Sequence, residues 1–201
     1  MPKTHTSKLL SLLHRTGTVR ARELDRHGVP RWALAKLLES GEIHRVGRGL
    51  YVADGADVTE EQSYVEAAKA VPGGVICLLS ALRMHGMTTQ APFEVWLAID
   101  VKARLPKAEH PPMRFARFSG DALTEGIEAR RIGGTQVRVY SPAKTVADCF
   151  KFRNKIGVDV ALEALRDCLR QRKATRSEIH RMAEICRVSN VIRPYMESLA
   201  L

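Results

Sequence analysis

The sequence predicts an α+β fold in two parts: a small basic N-terminal domain of short helices closed by a hairpin, and a mixed α/β C-terminal domain with a helical tail. Three observations predict it. The N-terminal quarter alternates leucine-striped segments with glycines and ends in GEIHRVGRGLYV, Gly41 to Val52, a glycine-punctuated hairpin pattern. From Phe93 to Tyr140 the runs are strand-like, with EARRI and TQVRVY flanking Gly133-Gly134. Beyond Ser141, apolar residues recur at helical spacing behind capping residues. The expected domains are 1–53 and 58–201, with Asp54-Gly55-Ala56-Asp57 as the linker.

The charge is distributed unevenly between these parts. The chain has 201 residues and a formal net charge of +10. Residues 1–53 hold ten Lys/Arg against four Asp/Glu, whereas the remainder holds 22 against 18. A basic excess concentrated in one quarter points to a nucleic-acid footprint there, with a solvated basic surface as the plainer alternative. No apolar run is long enough to span a bilayer. The basic opening MPKTHTSKLLSLLHR lacks a small-residue cleavage pattern and reads as a helix rather than a targeting segment. Cys77, Cys149, Cys168 and Cys186 form no CxxC pair, which argues against a zinc site or disulfides; the last three sit in apolar helical patterns as expected buried free thiols, in keeping with a reducing cytoplasm. No metal and no cofactor is called for.

Within residues 1–53, Leu9, Leu10, Leu12 and Leu13 place a helix at about Ser7–Arg15, ended by Gly17. Thr18-Val19-Arg20 is an extended link. Ala21 to His27 reads as a second helix with Leu24 inward, broken by Gly28. Pro30 suits the first turn of a third helix, in which Leu34, Leu37 and Leu38 fall on one side and Arg31, Trp32, Ala35 and Lys36 on the others. Gly41 ends that helix as a left-handed cap. A ribbon then follows: Ile43–Val46, a Gly47-Arg48-Gly49 tip, and Leu50–Val52. Ile43 and Val46 have opposite parity, so burying both requires a bulge or a very short strand.

Helix, helix, turn, helix and ribbon is the order of a winged helix-turn-helix. In that fold the third helix enters the major groove, so Arg31 is placed to address guanine and Lys36 a guanine or a phosphate. Trp32 is either a ring between helices or part of the same face. Arg20 and Arg22 are phosphate candidates at the start of the second helix, and Arg45 and Arg48 are wing candidates. A winged helix used for protein interaction is the competing reading of the segment.

In the second domain Thr59 is expected to cap a helix reaching about Ala70, and VICLLSALRMHGM to form an apolar helix ending at Gly86. Strands are expected at Phe93–Val101 and Met113–Phe118, followed by the Gly-Gly hairpin. Ser141-Pro142 starts a helix, Val158, Ala161, Leu162, Leu165 and Leu169 mark another, and Thr175 with Glu178 forms a capping box before Ile179 and Met182. The last helix covers about Asn190–Leu199. In QVRVY, alternation turns Arg138 outward. Arg130 or Arg131 shares its face across the turn, giving a second basic face unless Glu125 or Glu128 neutralises it.

Catalytic candidates are weak. Asp100-Val101-Lys102 at a strand end matches an Asp-x-Lys nuclease element, but it lacks the upstream carboxylate that a metal site needs. Ser80 and His85 share a helix without an obvious acidic partner. The sequence therefore predicts no enzyme. A metal-dependent nucleic-acid enzyme positioned by a winged domain is the alternative.

The segment LLHRTGTVRARELDRHGVPRWALAKLLESGEIHRVGRGLYV resembles the N-terminal winged-helix domain of AbiEi-family antitoxins of type IV toxin–antitoxin (abortive infection) systems. SALRMHG and YSPAKTVADCF resemble that family's C-terminal antitoxin region. The resemblance implies a repressor binding inverted repeats in its own promoter. It also implies neutralisation of a nucleotidyltransferase-like toxin, with or without a stable complex. A stand-alone regulator that kept the fold and lost the toxin is compatible with the same residues.

Overall fold

The computed structural model describes residues 4–47, 49–55, 60–107 and 111–199. Arg48, the linker residues Ala56 and Asp57, and the expected cap Thr59 lie outside the described residues. Two compact units are present: 1–73 with 105–113 and 130–137, and 74–104 with 114–129 and 138–201.

In the first unit, α1 (His5–Thr16) is capped by the Thr4 hydroxyl, which accepts the Ser7 amide. Gly17, at φ 70°, returns its own amide to the Leu13 carbonyl. β1 (Thr18–Arg20) follows as the expected extended link. The expected second helix is instead a pair of 3-10 turns, Ala21–Glu23 and Asp25–His27. Seven residues between a strand and a left-handed glycine close only single turns, yet Leu24 is fully buried between them as anticipated. Gly28 then turns the chain at φ 60°.

The next helix, α2 (Trp32–Glu39), buries Ala33, Leu34 and Leu37. Leu38 is 37% exposed, which corrects its assignment to the inner stripe: Ala33 and Leu37, four apart, already fill the core-facing row. The wing is β2 (Ile43–Gly47) and β3 (Leu50–Ala53). The register shifts between Arg45 and Gly47, a bulge at the place where the sequence suggests a bulge or a very short strand. The three strands pair in the order β1-β3-β2. Leu9, Leu13, Val19, Leu24, Leu34, Leu37 and Ile43 belong to the core beneath them.

Helix α3 (Glu60–Ala70) covers the other face of β1. Its Lys69 ammonium donates to the Thr18 carbonyl and sits 3.8 Å from Glu23, while Gln62 donates to the Gly17 carbonyl at 3.2 Å. Thr18 is consequently fully buried, although it lies on a short strand of a small sheet.

The second sheet contains β4 (Val75–Ile76), β5 (Val95–Asp100), β6 (Met113–Phe118), β7 (Ile127–Ile132) and β8 (Thr135–Tyr140), in the order β6-β5-β4-β8-β7. β4 corrects the sequence reading, which ran a helix through Val75 and Ile76. These residues are a central strand, antiparallel to β5 and parallel to β8 through Ile76 and Val139. The helix α4 starts only at Leu78 and ends at Met84.

After β6 comes one short helical turn, α5 (Asp121–Thr124), and after β8 come α6 (Pro142–Lys151), α7 (Arg153–Ile156), α8 (Val158–Arg170), α9 (Arg176–Ile185) and α10 (Ser189–Ser198). Ser141 and Thr175 cap α6 and α9 as expected, the latter with both bonds of the capping box. Val158 is 44% exposed rather than buried; Val160 takes the inward position at the start of α8. At Gly126, φ is 72° and a Cβ would stand 2.8 Å from that of Lys144, so no side chain fits between β7 and α6.

Candidate nucleic-acid interface

The face of α2 that turns away from the core is assembled by helical periodicity. With Ala33, Leu34 and Leu37 buried, Arg31, Trp32, Ala35 and Lys36 are all exposed. Trp32 is 54% exposed, which decides between its two readings: the ring is on the surface, edge-on to His5 at 5.7 Å. Trp32 and Lys36 are one turn apart on a shared stripe, with exposed Glu39 at its far end. Neither Arg31 nor Lys36 forms an ion pair among the described residues. An exposed guanidinium at the start of a helix, free of an internal carboxylate, can address a guanine edge or a phosphate.

Arg45 is exposed on β2 and pairs in register with Tyr51. Ala21 donates to the Gly49 carbonyl at 2.8 Å, which fastens the tip of the wing to the first 3-10 turn. Exposed Arg22 is therefore close to the wing. Arg20 is separated from the α2 face. On β1 it pairs with Leu50 of β3, and its guanidinium is half-buried, with no hydrogen-bond partner for Nε among the described residues. Burial pushes its pKa down, Arg22 adds to that, and Glu23 opposes it. Arg48 lies outside the described residues. The structure thus brings Arg31, Trp32 and Lys36 together, sets Arg45 and Arg22 beside the wing, and holds Arg20 apart.

A second basic feature was missed in the sequence. Lys8, Ser11, Leu12 and Arg15 from α1 and His27 from the second 3-10 turn line a groove of about 450 Å³. The spacing of the α1 residues already defines one helical stripe, but only the fold brings His27 to it.

In the second sheet, β7 and β8 carry Arg131 and Arg138 exposed and Arg130 half-buried. Glu125 lies 3.8 Å from Arg181. The Asp100 carboxylate accepts the Lys102 amide at 2.7 Å, and Arg117 Nη1 donates to the carbonyls of Asp100, Val101 and Ala103. These bonds tie down a turn at the end of β5. Among the described residues no group of three or more His, Cys, Asp or Glu could hold a metal ion. Ser80 accepts the Trp96 amide at 2.9 Å, and the buried His85 ring stands 2.7 Å from the Tyr140 carbonyl. Both therefore pack the core.

YSPAKTVADCF hides the chemistry that sequence reading overlooked. Lys144 and Asp148 are fully buried one turn apart on α6, with Nζ 2.6 Å from both carboxylate oxygens. The ammonium also lies 3.9 Å from the Tyr140 ring centroid and 4.8 Å from that of Phe118, and the Cys186 thiol donates to Asp148 at 3.3 Å. Burial pushes the Asp148 carboxyl up, with Lys144 opposing, and raises the Cys186 thiol to about 12. A helical Lys-x-x-x-Asp among small and apolar residues is the available signal, and exposure is what that pattern ordinarily predicts.

The geometry of residues 5–53 defines a winged helix-turn-helix: α1, the pair of 3-10 turns, α2, and a three-stranded sheet that includes the wing. Residues 7–53, which make up this element, match the family model described as transcriptional regulator, AbiEi antitoxin, so the resemblance read from the sequence holds over them. Among solved structures, the chain is similar to the RV2827C protein from Mycobacterium tuberculosis, with a TM-score of 0.61 and 15% identity over 90% of this chain and 71% of that one. That likeness shows a shared fold. No curated protein matches.

Proposed function

We propose that the protein is a DNA-binding transcriptional autorepressor and antitoxin of a type IV toxin–antitoxin system, acting in the cytoplasm against a nucleotidyltransferase-like toxin. The observation that carries this reading is the match of residues 7–53 to an antitoxin regulator family, on a segment whose α2 presents Arg31, Trp32 and Lys36 to solvent. In it, residues 1–53 bind duplex DNA and α3 braces them. The remainder, 58–201, carries the antitoxin role, and Arg130, Arg131 and Arg138 form its working face. Inverted repeats in the protein's own promoter are the proposed site. No hydrolytic step is assigned to the protein, because Asp100-Val101-Lys102 lacks the upstream carboxylate that a metal-dependent nuclease site needs.

Binding of the full chain to its promoter duplex, followed against salt, tests the reading. Arg45→Ala with Arg48→Ala lowers the salt slope by roughly two units, one for each phosphate that is no longer neutralised. Arg31→Ala narrows the preference for promoter over arbitrary DNA by about 1–3 kcal/mol. Unchanged slope in the folded wing variant removes the wing from the interface. Equal weakening on both DNAs by Arg31→Ala reassigns that residue to the backbone.

A further inference from the structure

We propose that the groove between α1 and the second 3-10 turn is a phosphate site that grips the backbone of the duplex beside the major groove entered by α2. The inference rests on the DNA-binding reading and adds to it a foothold that lies outside both the helix α2 and the wing.

Two cations and an imidazole converge there. Lys8 and Arg15 lie two turns apart on the exposed side of α1, and His27 joins them from the turn before Gly28. The Lys8 ammonium lies 3.7 Å from where a Gly28 Cβ would stand, which brings it to the corner at which the chain turns toward α2. Leu12, 6% exposed, is the apolar lining residue, and the Ser11 hydroxyl is turned to the Ser7 carbonyl at 2.8 Å. No carboxylate is among the lining residues, and neither Lys8 nor Arg15 forms an ion pair among the described residues. Uncompensated like charges in a concavity repel one another and favour an anion that offsets them.

Position selects the anion. The groove adjoins the start of α2: His27 precedes Arg31 by one turn of chain, and His5 of α1 touches Trp32. The wing follows the end of α2. A helix lying in the major groove has a phosphate backbone along either side, so cations flanking both its ends match a duplex. Because these side chains reach only phosphates, they strengthen binding to every sequence alike.

The test is the full chain with Lys8→Ala and Arg15→Ala, titrated with promoter and arbitrary duplexes over a range of salt. The expected result is a salt slope lower by about one to two units, with the promoter preference unchanged. Lys8→Arg with Arg15→Lys keeps the slope. A folded alanine double variant with wild-type slope overturns the proposal while leaving DNA binding intact, provided that Arg31→Ala still narrows the preference. Wild-type protein that fails to bind any duplex overturns the groove and the parent reading together. Inorganic phosphate, titrated alone at constant ionic strength and followed by the His27 ring resonances, separates the remaining source. Weak, non-saturating shifts support a backbone site, whereas tight saturable binding with an unchanged DNA slope in the double variant makes it a free-anion site and overturns the proposal.

Discussion

Lys144 and Asp148 show how much a single pair of residues decides in the second unit. Both side chains are fully buried, and among the described residues their charges are offset by each other, by the Tyr140 and Phe118 rings, by the Cys186 thiol and by Lys151. Taking ions out of water costs several kcal/mol each, and the pair offsets that cost only while intact. Lys144→Met leaves Asp148 buried without its cation and lowers stability by about 3–5 kcal/mol, measurable by denaturant unfolding. Lys144→Met combined with Asp148→Leu regains most of that loss, since an apolar pair of similar volume needs no compensation. A double variant no more stable than the single one would show that the pair organises the fold beyond its own charges. The pair was illegible in the sequence for the same reason: nothing local distinguishes a buried Lys-x-x-x-Asp from an exposed one. Burial there is imposed by α4, α8 and α9, which pack on α6 from other parts of the chain.

At the scale of elements, legibility followed the range of the forces involved. Caps are local, and the Ser141 and Thr175 caps stand where the sequence places them. The Gly133-Gly134 hairpin is equally local, and the wing bulge stands where the parity of two residues suggests a bulge or a very short strand. β4 is the opposite case. Its two residues are a strand only because β5 and β8 pair with them, and a short apolar run before a helix looks helical by periodicity alone. Candidate-site residues divided the same way. The exposed face of α2 was readable from spacing, while the groove around Lys8 and Arg15 required His27 from another element.

The Thr175–Glu178 box gives the element scale a pH-dependent test. The Thr175 amide and hydroxyl both donate to the Glu178 carboxylate, at 2.7 and 2.8 Å, and hold its pKa below the usual glutamate range. A carboxylate depressed on folding contributes stability that is present above its unfolded pKa and lost as pH falls through the folded value. Glu178→Ala therefore lowers the melting temperature at neutral pH, and the gap from wild type closes as the solution is acidified below the ordinary glutamate range. A gap that stays constant across the titration would assign the effect to helix propensity instead of the charged cap.

Across the whole molecule, charge separates the two proposed roles. The N-terminal quarter carries six of the ten net positive charges, and among the described residues its lysines and arginines are spread over α1, β1, the two 3-10 turns, the start and body of α2, and β2. Arg130 and Arg131 lie on β7 and Arg138 on the neighbouring strand β8, where strand alternation would set like charges side by side. Like charges so placed destabilise a sheet unless an acidic neighbour or an anionic partner offsets them. If the hairpin face serves the antitoxin role, the Glu substitution of Arg130, Arg131 and Arg138 together impairs rescue of cells expressing the cognate toxin. Promoter binding by the same full-length variant is weakened less, because α2 and the wing are untouched. Rescue at the wild-type level by a folded triple variant would reduce the face to solvated surface. Parallel loss of rescue and promoter binding would instead extend the DNA interface onto the hairpin and remove the division of labour between the two groups of arginines.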